Sequence, residues 1–206
     1  MNPARIDMIL RLRRAGISDT NVLRAMELLP RAAFIAQEHS DFAYDERAVP
    51  IACGQTLAAP LTIAAMTQAL ALTGGEKVLE IGTGSGYHAA VLSALCTRVY
   101  SVERYKTLAD SAKATLRGQG CANVVTRHSD GRYGWRGQAP FDAIIITAGL
   151  RVRPVTLLGQ LKNGGRLVCV MDDMLTVLTK SFADIEEKTV FKTPLAPLEP
   201  GKSKIL

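Results

Sequence analysis

Val78-Leu79-Glu80-Ile81-Gly82-Thr83-Gly84-Ser85-Gly86 is the stretch that decides the fold of this chain. Val78, Leu79 and Ile81 make a short apolar run around one acid, Glu80, the pattern of a parallel strand buried on both faces. The chain then turns through Gly82, Gly84 and Gly86 into residues 87–95, whose composition suits a helix. Glycine tolerates positive φ and lets a ligand approach the main chain closely. Strand, glycine turn and helix start together are the means by which doubly wound α/β proteins grip a nucleoside-bearing ligand.

A second acid, Glu103, follows Gly82 by 21 residues, at the end of the apolar run 99–102. A carboxylate at that spacing meets the two hydroxyls of a ribose. The glycines lack the longer gap of the dinucleotide fingerprint, and Glu80 sits beside the turn. A negative side chain there suits a cationic ligand better than a pyrophosphate. S-adenosylmethionine, with a sulfonium and an ammonium and no phosphate, is therefore the expected cofactor, and a methyltransferase is expected before a dehydrogenase. The plainer alternative is a glycine-rich turn that binds nothing.

Outward from this turn the chain keeps a regular rhythm. Strands are predicted at 99–102, 123–126, 141–147 and 166–171, with helices at 106–119 and 155–161, the latter ended by Asn163-Gly164-Gly165. Such alternation predicts a doubly wound, mostly parallel α/β sheet of Rossmann-like form. The tail, 175–198, reads as two more strands. On the N-terminal side, residues 2–29 read as two helices broken at Gly16, with Ser18 and Asp19 as caps and Pro30 as the stop. Residues 31–60 show no period, and a loop of that length is usually functional. A helix over 61–72 leads into the central strand. The chain thus divides into an N-terminal helical extension and substrate loop, 1–60, within the same domain as a cofactor-binding part, 61–206.

The 206 residues suit one domain, and a hydrophobic fraction of 48% suits a full core. The net charge is +6, consistent with a basic surface or an anionic partner such as an acidic peptide. No run of about five or six basic residues marks a nucleic-acid arm, so nucleic acid is not an expected partner. The four cysteines, Cys53, Cys96, Cys121 and Cys169, are far apart and form no CxxC pair. Reduced thiols are the default reading, and with them a reducing compartment, the cytoplasm. No apolar stretch of about 18 residues is present to span a membrane. A monomer is expected.

Ligands in open α/β sheets lie beyond the carboxyl ends of the strands. Glu80 with the turn Gly82, Thr83, Gly84, Ser85 and Gly86 falls there, as do Glu103, Asp130-Gly131 and Thr147. Asp130 has the chemistry to accept from an adenine amino group, or it caps a turn before Gly131. His39, His88 and His128 lack acid or cysteine partners at metal-ligand spacing, so no metal is expected. His88, at a helix start, reads as a packed or surface histidine rather than a base. Gly84-Ser85-Gly86 is too short for the nucleophile elbow of a serine hydrolase.

These residues resemble the protein-L-isoaspartate O-methyltransferases over residues 29–198. Leu29-Pro30-Arg31, Phe34, Ala43-Tyr44, Pro50-Ile51 and Gly54-Gln55-Thr56 are similar to that family's N-terminal pattern. Val78 to Tyr87 is similar to its cofactor motif, and Asp130-Gly131, Phe141-Asp142-Ala143-Ile144-Ile145 and Leu161 to Val168 to later ones. The Gly54-Gln55-Thr56 loop is the most specific of these. The resemblance implies methylation by S-adenosylmethionine of the α-carboxylate of L-isoaspartyl residues in damaged proteins or peptides. It implies that Gln55, Thr56 and Leu57 bind substrate and that Thr56 and position 58 act at the reacting carboxylate. At position 58 the family usually carries a serine, and here Ala58 stands there. Losing a hydrogen bond to a charged group costs roughly 1.5–3 kcal/mol. Thr56 replaces it, or the protein acts on another acceptor, or it binds cofactor without turnover. Val170-Met171-Asp172-Asp173 also departs from a favoured proline and glycine, and Arg151 and Arg153 are unusual.

Overall fold

The structure is a computed structural model and describes residues 3–203. Two N-terminal helices, α1 (Pro3–Arg14) and α2 (Thr20–Leu28), flank Gly16, which adopts a φ of +95°. Asp19 caps α2 by accepting from the backbone N–H groups of Asn21 and Val22. Between residue 31 and α3 (Pro60–Leu70), short 3-10 turns surround a small antiparallel ribbon, β1 (Val49–Pro50) with β2 (Thr56–Leu57). Proline opens α3, where its missing N–H is not needed.

The central layer has seven strands in the order β5-β4-β3-β6-β7-β8-β9. These are β3 (Lys77–Ile81), β4 (Arg98–Glu103), β5 (Val124–His128), β6 (Phe141–Leu150), β7 (Leu161–Met171), β8 (Met174–Lys180) and β9 (Ile185–Lys192). The first five in that order pair in parallel, and β8 and β9 run antiparallel. Helices α4 (Tyr87–Ser93), α5 (Lys106–Gly118) and the single turn α6 (Val155–Leu158) fill the crossovers. Alternate residues of β6 serve opposite faces. Ala143 and Ile145 join the core beneath α1 to α4, while Ile144 and Ile146 join Leu79, Ile81, Leu157 and Leu167 on the other side.

Three expectations are corrected. The helix predicted over 155–161 is one turn long, because β7 already begins at Leu161. Asn163-Gly164-Gly165 is therefore not a helix stop but an irregular stretch of β7, where the register with β6 slips between Phe141 and Ala143. A Cβ on Gly165 would come within 2.7 Å of the Asp142 carbonyl, so only glycine permits that close strand approach. Asp172 and Asp173 form the β7–β8 turn, both at positive φ, as a tight two-residue hairpin requires. The third correction concerns the tail. Its strands end at Lys192, and residues 195–203 form a strap across the carboxyl ends of the strands. Gly149 N–H donates to Ala196 at 2.7 Å, Leu198 N–H to Gly149 at 2.9 Å, and Ser203 N–H to Arg104 at 2.9 Å.

Candidate active site

β3 lies between β4 and β6, so its carboxyl end is the point where the chain's crossovers part to either side. A cavity opens there, under the strap. Gly82 leaves β3 at a φ of +97°, and a Cβ on it would run into the Thr147 hydroxyl. That hydroxyl bridges the carbonyls of Ile81 at 3.0 Å and Gly82 at 2.7 Å, tying the end of β6 to the turn. Gly82, Thr83, Gly84, Ser85 and Thr147 all line the cavity. Gly86 does not; it begins α4 and faces Ala112 and Leu116.

The three acids singled out from sequence have different fates. Glu103, at the end of β4, lines the cavity and is 4% exposed. Its Oε2 accepts from Gly84 N–H and its Oε1 from Tyr105 N–H, each at 2.9 Å. Each carboxylate oxygen accepts more than one bond, so Glu103 retains capacity for a diol while being held in place. Ile81, Val102 and Leu108 give the neighbouring wall an apolar surface. A planar base over apolar side chains and a ribose on Glu103 fit this arrangement.

Glu80 is placed elsewhere than its sequence position suggests. It has no exposed surface and does not line the cavity. Its Oε2 accepts from Ser101 Oγ at 2.5 Å, and Ser101 is in turn 2.5 Å from the Thr83 hydroxyl. Its Oε1 has no hydrogen-bond partner among the described residues. Burial pushes the Glu80 carboxyl up to about 8, with the charge of Glu103 adding to the effect and the Ser101 bond opposing it. The reading of Glu80 as a negative charge facing a cationic ligand is thereby corrected: at neutral pH it is a neutral acid behind the wall that Thr83 presents.

Asp130 is also turned away from the cavity, while Gly131 lines it. Its carboxylate accepts from Arg132 N–H at 2.9 Å, from Arg132 Nη2 at 2.8 Å and from Gly201 N–H of the strap at 2.8 Å. Burial works to raise its pKa, but the Arg132 and Gly201 bonds outweigh it and hold the carboxyl below its usual range. Asp130 thus fastens the strap to the third strand end.

The other wall is the loop ahead of α3. Gln55, Thr56, Leu57 and Ala58 all line the cavity, with Thr56 exposed at its rim. This loop is held from beneath by Arg31, which has no exposed surface. Its Nε donates to the Ala43 carbonyl and its Nη2 to the Ala58 carbonyl, both at 2.7 Å, and its guanidinium lies 4.9 Å from the Tyr87 ring centroid. Burial lowers the Arg31 pKa, outweighing the opposing influence of Tyr87, Glu46 and Tyr44.

Sequence reasoning missed several lining groups. Leu195 to Glu199 of the strap form the roof, and no motif marked them. Arg104 and Tyr105 follow Glu103 directly and were findable once Glu103 was placed. His88 is packed, as one of the two readings expected, and it also reaches the cavity. It is 6% exposed, lines the cavity and bonds Thr67 at 2.9 Å. No group of three or more His, Cys, Asp or Glu side chains suited to a metal occurs among the described residues.

The profile of the Protein-L-isoaspartate(D-aspartate) O-methyltransferase family matches residues 4–200. A protein-L-isoaspartate O-methyltransferase of Maricaulis maris is 46% identical over 209 residues, covering 100% of this chain and 98% of that protein. A solved protein-L-isoaspartate O-methyltransferase superposes with a TM-score of 0.84 at 26% identity, over 94% of this chain and 65% of that longer one. A second solved structure, from Plasmodium falciparum in complex with S-adenosyl-L-homocysteine, has a TM-score of 0.84 at 22% identity. It covers 97% of this chain and 99% of that one, and its likeness bears on the fold.

Proposed function

The chain belongs to the protein-L-isoaspartate(D-aspartate) O-methyltransferase family, and from that premise we propose how its own residues divide the work. The activity is S-adenosylmethionine-dependent methylation of L-isoaspartyl residues in proteins or peptides, a repair reaction. The observation that carries this reading is the near full-length family match, joined to a cavity that brings the Gln55–Ala58 loop against the glycine turn.

When bound, S-adenosylmethionine supplies an electrophilic methyl group on its sulfonium. Glu103 receives the ribose hydroxyls, and Ile81, Val102 and Leu108 with Gly131 border the base. Gly82 and Gly84 keep the turn bare so that the main chain itself forms the wall. The strap residues Leu195 to Glu199 exclude water from above. On the other side, Gln55, Thr56 and Leu57 hold the isoaspartyl residue. Its α-carboxylate is already ionised at neutral pH, so the site has no need of a general base. What the residues contribute is alignment, an effect worth about 7–11 kcal/mol in well-oriented reactions. Arg31 serves that alignment by anchoring the Ala58 carbonyl, and its buried positive charge favours an anion at the adjoining rim.

Ala58 offers no hydroxyl, and we assign the contact with the carboxylate to Thr56, which lines the cavity. The protein acts in a reducing compartment, the cytoplasm, consistent with four free cysteines. No described helix is long and apolar enough to cross a membrane. The test is transfer of a labelled methyl group to an isoaspartyl peptide, with the aspartyl peptide as control and Ala58→Ser beside the parent. Transfer selective for the isoaspartyl peptide is expected, with a gain of roughly 10- to 100-fold in the serine variant where Thr56 does not already make that bond. Equal labelling of both peptides, or of neither, would refute the reading.

A further inference from the structure

His88 is the buried polar group at this site to which the reaction gives no task. It is the second residue of α4, directly beyond the glycine turn, and it packs toward α3. Its hydrogen bonding decides which nitrogen carries the proton. The Thr67 hydroxyl lies 2.7 Å from the Ile63 carbonyl and 2.9 Å from His88 Nε2. A carbonyl has no proton to give, so the close oxygen pair is a bond only if Thr67 donates its single proton to Ile63. His88 Nε2 must then carry its own hydrogen and donate it to Thr67. Burial, reinforced by the positive charge of Arg31, pushes the His88 pKa down to about 3, so the ring holds one proton only. Nδ1 is left as a bare acceptor, with no hydrogen-bond partner among the described residues.

His88 lines the cavity, and with Nε2 on Thr67 its other ring nitrogen is the one left to meet a ligand there. His88 is 6% exposed, whereas Thr56 stands at the exposed rim, so the floor meets the cofactor before it meets a peptide. On the proposed reading Glu103 takes the ribose at the end of β4, while His88, bonded to Thr67 of α3, lines the same cavity. The amino-acid portion of the cofactor has two polar ends. An unprotonated nitrogen repels the carboxylate and matches the ammonium.

Resting on the cofactor reading above, we propose that His88 Nδ1 accepts a hydrogen bond from the α-ammonium of S-adenosylmethionine and so selects cofactors that carry that group. Thr67 and the Ile63 carbonyl set the tautomer that makes this selection possible.

The test compares S-adenosylhomocysteine with its analogue lacking the α-amino group, titrated calorimetrically into the parent, His88→Leu and His88→Asn. A hydrogen bond to a charged group predicts that His88→Leu weakens S-adenosylhomocysteine roughly 10- to 100-fold. The deaminated analogue should bind the parent and His88→Leu alike. Asparagine restores a carbonyl acceptor, and His88→Asn should recover part of the discrimination. Nitrogen-15 NMR of the parent should show Nε2 protonated and Nδ1 bare before ligand is added, and a shift at Nδ1 on binding.

Equal weakening of both ligands in His88→Leu would reduce His88 to packing and overturn the proposal. So would the opposite tautomer, or a rise confined to the peptide KM. Failure of the parent to bind S-adenosylhomocysteine at all would instead overturn the cofactor reading. If His88→Leu does not fold, the asparagine variant and the NMR of the parent still decide.

Discussion

Arg31 donates through Nη2 to the carbonyl of Ala58 at 2.7 Å, joining residues 27 apart in the chain. The same guanidinium holds Ala43 through Nε, so one side chain fastens two segments of the N-terminal loop to the core. A lysine has a single ammonium and cannot reproduce the planar fork that spans both carbonyls. Arg31→Lys is expected to cost about 1–3 kcal/mol of stability, because one buried acceptor loses its donor. It should raise the KM for an isoaspartyl peptide more than it weakens S-adenosylhomocysteine. Denaturant unfolding and paired binding titrations check this, and an unchanged peptide KM would contradict it.

Gly82 and Thr147 form the tightest fit at the turn. Gly82→Ala places a Cβ against the Thr147 hydroxyl and holds alanine at a φ of +97°. Backbone strain of this kind costs about 1–3 kcal/mol, and the clash adds to it. Adding Thr147→Ala to Gly82→Ala should relieve the clash and leave the strain. The double variant is therefore expected to recover part of the lost unfolding midpoint, and full recovery would show that φ strain is absent.

Asp130 is the strap's fastening rather than a wall of the cavity. Asp130→Ala removes the acceptor for Gly201 N–H and for Arg132. Residues 195–203 should then exchange their amide hydrogens faster, Gly149 with them, since its N–H is bonded to Ala196. S-adenosylhomocysteine should bind more weakly, because Leu195 to Glu199 roof the site. Unchanged exchange across the strap would remove Asp130 from this role.

Glu80 and His88 give the apo protein opposite pH limbs. Glu80 is raised from 4.5 to about 8, so between those values the folded state holds a proton that the unfolded state has released. Stability therefore falls as pH rises through that window, by at most about 1.4 kcal/mol per pH unit. His88 is lowered from 6.5 to about 3, so below 6.5 the unfolded state takes up a proton that the folded state refuses, and stability falls as pH drops. Glu80→Gln should flatten the alkaline limb, and His88→Asn the acid one. The two slopes oppose each other between 4.5 and 6.5, so urea midpoints between pH 6.5 and about 8 test Glu80 and those between about 3 and 4.5 test His88.

Much of this was legible in the chain because it is local. The run Val78 to Gly86 specifies a strand and a turn through apolar spacing and glycine alone. Asp19, Gly16 and Pro60 mark helix boundaries by chemistry that acts within a few residues. Glu103 could be placed because one βαβ unit has a nearly constant length. The short α6 was harder, since one helical turn has too few residues to show a period.

What only the tertiary structure decided depends on groups far apart in sequence. Glu80 looks like an exposed carboxylate beside a ligand until the sheet closes around it and burial keeps it protonated against the pull of the Ser101 bond. Asp130 looks like an adenine acceptor until Gly201, 71 residues later, takes its oxygen. The task of Arg31 is set by the Ala43 and Ala58 carbonyls, which no spacing rule connects to it. Backbone preference is a property of a few consecutive residues, and so the sequence by itself determined the elements and their order. Burial, protonation and hydrogen-bond partners are properties of the packed whole, and so the strap, the neutral acid and the histidine acceptor emerged only once the chain had folded.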